Sequence, residues 1–162
     1  KLGFMIQNKI NFDSDFSLNE RLISKSIEQF CRPKVYPNFL KNLLKTRPNK
    51  KIKKIGCTDS SDGLFQAIQD LAIASNCKAI INYDKIPKDK NWPKGDKWDE
   101  YYFFGGEDYE LVFSLPAKWA KSLTKLDQNI NEIGFFTNGE PSIEFKDNKK
   151  NNLLDNTPFK HF

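Results

Sequence analysis

Histidine, cysteine and long apolar runs are scarce in this sequence, and each scarcity removes a class of function. The one histidine, His161, leaves a single imidazole for acid–base work and no histidine cluster for a metal. Cys31, Cys57 and Cys77 are odd in number and show no CxxC spacing, which argues against a disulfide framework and a zinc site. A reducing, cytoplasmic setting suits them. No apolar run approaches the ~20 residues of a membrane span, and no secretory signal is visible, so no membrane partner is expected. Neither a Walker-type glycine loop nor a nucleophile elbow occurs.

What is present is enough for one domain with a sizeable core: 162 residues, 38% of them hydrophobic, with 14 Phe and 3 Trp to supply large apolar surfaces. The formal net charge is +5, and the lysines are scattered. That pattern favours small anions such as phosphate compounds over a dedicated nucleic-acid surface, so no nucleic-acid partner is expected. The densest basic run, Lys50-Lys51-Ile52-Lys53-Lys54, reads as a solvated linker. Its competing reading is a non-catalytic basic binding module, whose mark is salt-sensitive nucleic-acid binding.

Ser17-Leu18-Asn19-Glu20 has the form of a capping box. Leu18, Leu22, Ile23, Ile27 and Phe30 then recur at helical spacing until Pro33. Pro37 opens a second short helix with Phe39, Leu40, Leu43 and Leu44 as its buried stripe. A strand at 55–57 leads into Thr58-Asp59-Ser60-Ser61-Asp62-Gly63-Leu64, with Cys57 expected to be a buried, inert thiol. A helix with Leu64, Ile68, Leu71 and Ala72 on one face follows, ending near Asn76, and then a strand over 79–83. Residues 84–99 form a charged excursion and a candidate lid. A short helix over 98–104 stops at Gly105-Gly106, and alternation from Tyr109 marks a strand. Pro116 opens a helix carrying Trp119, Leu123 and Leu126. Strands at 130–136 and 142–145 surround a turn at Asn138-Gly139. The mixture predicts an α+β fold, layered, with a mixed sheet and some hairpins.

Two stretches carry the chemistry. In the first, Asp59 and Asp62 sit three residues apart at a strand-to-helix junction, where a first helical turn would point them the same way. Free amides at a helix start attract anions and carboxylates attract divalent cations, so such a turn can hold Mg²⁺ with phosphate oxygens. Ser61 offers a hydroxyl to a phosphate or a metal-bound water, and Gly63 leaves room for close approach. The plainer reading is that Asp59 or Ser60 merely caps the helix. The second stretch is Gly105-Gly106-Glu107-Asp108-Tyr109-Glu110-Leu111. It is either a helix stop with two solvated acids or a cleft edge where Glu107 and Asp108 meet a metal or a substrate. Near the end, Phe159 and Phe162 either secure the tail to the core or stack on a heteroaromatic ligand.

These two motifs, with Phe30-Cys31-Arg32-Pro33, Ile133-Gly134 and the closing His161-Phe162, stand in the order found in thiamine-monophosphate kinases, which the sequence resembles from about residue 17 onward. The resemblance implies the C-terminal domain of an aminoimidazole-ribonucleotide-synthetase-like enzyme. Residues 1–16 would be a residual segment of an N-terminal ATP-binding domain, and 17–162 the C-terminal domain. Such enzymes transfer the γ-phosphoryl of ATP to thiamine monophosphate, giving thiamine diphosphate, with several Mg²⁺ ions. By motif position Asp59 and Asp62 resemble Mg²⁺ ligands, Ser61 an ATP contact, and Glu107 or Asp108 the substrate-side acid. Phe159 corresponds to an aromatic that contacts the thiamine moiety. No residue is then catalytic beyond positioning metal and substrates. The implied partners are ATP, thiamine monophosphate, the protein's own N-terminal domain and a second copy of the full-length chain. A fragment of this length is expected to be inactive alone. Another ATP-dependent synthesis of the same superfamily, of aminoimidazole ribonucleotide or selenophosphate, is the near alternative.

Overall fold

The computed structural model of the chain describes residues 20–33, 36–49, 51, 55–147 and 153–154. In order they form α1 (Glu20–Cys31), α2 (Phe39–Thr46), β1 (Gly56–Asp59), α3 (Leu64–Ser75) and β2 (Lys78–Ile81). After a 3-10 turn at Tyr83–Lys85 come α4 (Asp96–Phe104), β3 (Leu111–Ser114), α5 (Ala117–Leu126), β4 (Gly134–Thr137) and β5 (Ser142–Phe145). The Ser17 end of the capping box, most of the Lys50–Lys54 run, Phe159, His161 and Phe162 lie outside the described residues.

The expected α+β class with a mixed sheet is what forms. β2 is the centre of a three-stranded sheet of order β4-β2-β5, antiparallel to β4 and parallel to β5. β1 and β3 form a separate antiparallel pair in which Gly56 faces Ser114 and Asp59 faces Leu111. The turn at Asn138-Gly139 joins strands that flank β2 rather than each other, so it closes no hairpin. β1 and β2, though joined through α3, belong to different sheets. Both features have one origin: pairing partners are chosen by contacts distant in sequence.

α3 is what holds the two sheets in register. Phe65, Ile68 and Ala72 on its inner face join Ala79, Ile81, Tyr83, Phe103, Phe104, Phe145 and Leu153 in the main core. Ala72 and Ala79 are fully buried, and their small side chains let helix and strand approach closely. Phe65, Phe103, Phe104, Tyr83 and Phe145 meet mostly edge to face, the arrangement that aligns a ring's positive edge with its neighbour's negative face. α3 ends at Asn76 in the left-handed conformation, φ 49°, as its sequence predicts.

A second cluster sits under α2 and α5, where Leu43, Trp119 and Leu123 are buried. Trp119 Nε1 donates to the Leu43 carbonyl at 3.0 Å, so its polar tip is satisfied inside the interface. Phe39 stacks on Phe113 with centroids 4.5 Å apart. The predicted four-residue stripe of α2 is only half right, because Leu40 and Leu44 are 61% and 57% exposed. A helix of 8 residues lying on α5 covers one narrow face, and the wider stripe finds nothing opposite it among the described residues. Leu126, carried by α5 with Trp119 and Leu123, is 42% exposed. No helix of the described residues is long and apolar enough to cross a membrane.

Leu123→Ala should therefore destabilise the chain by about 2–5 kcal/mol, whereas Leu44→Gln should change it by less than about 0.5 kcal/mol. Denaturant unfolding of both variants checks the contrast.

Candidate functional site

The β1–β3 ladder determines where the two acidic motifs lie. β1 ends at Asp59 and β3 begins at Leu111, and those two residues are partners. The turn that follows Asp59 and the segment that precedes Leu111 must therefore emerge side by side. They stay in contact beyond the ladder. The Ser60 amide donates to the Glu110 carbonyl at 2.9 Å, and the Glu107 amide donates to the Ser61 carbonyl at 2.7 Å. Glycine makes this contact feasible: a Cβ at Gly106 would collide with the Ser61 carbonyl oxygen, and one at Gly63 would come within 2.7 Å of the Phe104 carbonyl oxygen.

The local conformation of the first turn differs from the expectation. α3 starts at Leu64, and its N-cap is Gly63 at φ 100° with no side-chain cap hydrogen bond. Asp59 and Asp62 are thus not on a helical turn, and Asp59 and Ser60 do not cap the helix. Asp59 ends the strand, and its Oδ1 accepts from the Ser61 amide at 3.3 Å and from Ser61 Oγ at 2.8 Å. These bonds hold the Asp59 carboxyl below the usual carboxylate range, because donors aimed at a carboxylate favour its charged form. The carboxylate is exposed, and so is Asp62.

The second motif is an arch of unusual backbone. Glu107 and Tyr109 both have positive φ, 69° and 53°, a conformation that costs a non-glycine residue of order 1 kcal/mol and clusters at functional sites. The Tyr109 hydroxyl donates to Glu107 Oε2. That bond and the Glu107 charge raise the Tyr109 hydroxyl above its usual range, so it stays protonated. Asp108 keeps an accessible surface, yet surrounding protein desolvates its carboxyl and pushes it up, with Glu107 acting in the same sense. Behind the arch, a cavity of about 210 Å³ lies between α1 and the loop after β2, lined among others by Phe30, Trp92, Tyr101, Tyr102, Glu107 and Asp108. Lys25 of α1 and Asp89 of that loop form an ion pair at 2.6 Å beside it.

The structure sets the turn that carries Asp59, Ser61 and Asp62 against the backbone of Glu107 and Glu110, with Glu107 and Asp108 lining the cavity on the other side of the arch, whereas Phe159 lies outside the described residues. Among the described residues no group of three or more His, Cys, Asp or Glu side chains is arranged to hold a metal alone. Mg²⁺ takes one or two carboxylates and completes its octahedron with water and phosphate. Exposed oxygen donors, a carboxylate kept ionised and glycines that leave the backbone bare fit such a cation. Cys57, expected buried, is exposed, because β1 alternates and Cys57 shares the outer face with Asp59. Sequence reasoning also missed Ser60, 4% exposed and the sole buried polar residue of the described chain. Its signal was its place one residue past the end of the strand.

Ser61→Ala removes the hydroxyl bond to Asp59, so the Asp59 titration should move up toward the ordinary aspartate value of 3.8. A carboxyl NMR titration reads this directly, and an unmoved curve would contradict the assigned hydrogen bond.

No family model matches the chain. Thiamine-monophosphate kinase of Prochlorococcus marinus is 37% identical over 162 residues, covering all of this chain and 49% of the relative. The enzyme of that name from Nitrosopumilus maritimus is 38% identical over 108 residues, 64% of this chain and 34% of its own. Among solved structures, AaThiL complexed with AMPPCP and TMP superposes with a TM-score of 0.62 at 24% identity, covering 91% of this chain and 44% of that one. Thiamine-monophosphate kinase from Stenotrophomonas maltophilia gives 0.63 at 20% identity, over 90% and 45%. At those identities the superpositions establish the fold. The chain spans about half the length of the relatives it matches. The relatives it matches are thiamine-monophosphate kinases, and the chain is similar to the C-terminal part of theirs.

Proposed function

We propose that this chain is the C-terminal part of a kinase that transfers the γ-phosphoryl group of ATP to thiamine monophosphate. The observation that carries the proposal is the junction of the two acidic turns, held by the Glu107–Ser61 and Ser60–Glu110 backbone bonds. Both reactants are anions and repel each other. A wall of carboxylates becomes useful to them only when cations lie between, and positioning with charge neutralisation is most of what phosphoryl transfer asks of a protein.

In this reading Asp59 and Asp62 hold Mg²⁺, and Ser61 faces ATP while keeping Asp59 ionised. Glu107 or Asp108 serves the substrate side. When bound, Mg²⁺ neutralises the phosphate oxygens on which charge accumulates. An oxygen of the thiamine monophosphate phosphate forms the new bond to the γ-phosphorus as the bond to the β-phosphate oxygen breaks, releasing ADP. No protein nucleophile is needed. The aromatic and acidic lining of the cavity beside Glu107 and Asp108 supports its taking the flat, positively charged thiamine end, since rings and carboxylates both favour a cation. Phe159 is assigned to the same end of the substrate by its motif position. The full-length protein is proposed to be a cytoplasmic homodimer whose N-terminal half supplies the rest of the ATP site. Another ATP-dependent synthesis of the superfamily and a basic binding module are not favoured, since the matched relatives named here are kinases.

With thiamine monophosphate as sole acceptor, the full-length chain should release ADP in a Mg²⁺-dependent manner. Asp62→Asn should lower that turnover on the order of 10²-fold or more with an unchanged melting temperature. Residues 1–162 alone should show no turnover. Unaltered activity in Asp62→Asn would remove the metal role, and no product from the wild type would remove the kinase reading.

A further inference from the structure

The Glu107–Glu110 arch is joined to the Asp59–Asp62 turn at two places, and only one of them depends on a side chain. At the near end, the Glu107 amide meets the Ser61 carbonyl, a backbone contact available to any sequence that can bring the chains this close. At the far end, the regular antiparallel ladder would continue with a mutual pair between Ser60 and Glu110. Half of that pair is present, the Ser60 amide donating to the Glu110 carbonyl at 2.9 Å. The other half is not, because the Ser60 carbonyl accepts from the Gly63 amide at 3.0 Å to make the turn into α3. The Glu110 amide, partly buried, instead donates to Ser60 Oγ at 3.0 Å. A hydroxyl thus replaces a carbonyl in the ladder, which frees the backbone of Ser60 to bend.

From this we infer that Ser60 is a positioning residue for phosphoryl transfer: its buried hydroxyl holds the far end of the arch against the metal-side turn and so sets the spacing of the two acidic groups. The inference rests on the kinase reading above. The arch needs such a fastening because Glu107 and Tyr109, on either side of Asp108, both occupy left-handed backbone and would relax if one end were released. Glu107 and Asp108 are neighbouring acids within the arch, and the charge of Glu107 acts on the Asp108 carboxyl. Ser60 touches neither nucleotide nor acceptor in this account. It acts through Glu110 and the arch.

The experiment compares Ser60→Ala and Ser60→Thr in the full-length chain. Ser60→Ala leaves a partly buried amide without its acceptor, so amide exchange at Glu110 and through the arch should quicken about tenfold or more, with α3 and β2 unchanged. The KM for thiamine monophosphate and the Mg²⁺ concentration for half-maximal rate should rise about tenfold, in step with the exchange. Ser60→Thr keeps the hydroxyl and should restore both. Should Ser60→Ala fail to fold, Ser60→Cys, with its weaker acceptor, should show the same direction. Unchanged exchange at Glu110 overturns the inference. So does uniform acceleration over all amides, or loss of rate that threonine does not restore, because each describes general destabilisation. A wild-type chain without kinase activity removes the functional reading, while the exchange measurement still decides whether the hydroxyl fastens the arch.

Discussion

Everything at the site follows from one antiparallel pairing, Asp59 opposite Leu111. The two motifs are separated by 40 residues, and nothing local in the chain would hold their acids close. A short ladder between β1 and β3 fixes the end of one motif against the end of the other. The Glu107 amide on the Ser61 carbonyl then carries the contact past the last strand residues. A ladder this short is weak alone, since an isolated two-stranded ribbon is marginal in water. Its support comes from α3, which leaves β1 through the Gly63 turn and packs Phe65 against Phe104, the last residue of α4 before the glycine pair. The core thus presses on both motifs from behind, at the residue after one and the residue before the other.

This arrangement explains why glycine and acid occur together at both places. Carboxylates in adjacent turns are useful only if the backbones touch, and a side chain at Gly106 would prevent that. The strained arch and the depressed Asp59 carboxyl work in the same direction. One places Glu107 and Tyr109, on either side of Asp108, on left-handed backbone beside the first turn at a cost in backbone energy, and the other keeps the Asp59 carboxylate ionised. A protein that wanted only a helix cap would need neither. Gly63 is the N-cap of α3, and the helix start uses no side-chain cap.

Much of this was legible in the sequence, for local reasons. The span of α3, its stop at Asn76, the helix before Gly105 and the strand after Tyr109 all depend on periodicity and on residues with restricted or permissive backbone, which act over a few positions. The pairing of the motifs themselves was suggested by family resemblance rather than by pattern. What was not legible depended on distant neighbours. Strand order had no local signal: β2 pairs with both β4 and β5, leaving the Asn138-Gly139 turn without a hairpin. Leu40 and Leu44 carry a helical stripe that α5 is too narrow to cover. Cys57 points outward because it alternates with Gly56, whose inner face lies close against Leu71. Ser60 was hidden for a further reason: a hydroxyl that substitutes for a ladder carbonyl leaves no periodic trace.

The central claim is that the two turns act on one cation-and-phosphate site. The most direct measurement is a Mn²⁺ titration of the isotope-labelled full-length chain with ATP present, following paramagnetic broadening of backbone amides. The account predicts that Ser61 and Asp62 broaden together with Glu107 and Asp108 over the same concentration range, and that Mg²⁺ reverses both. Broadening at one turn with the other untouched, or at neither, would contradict it.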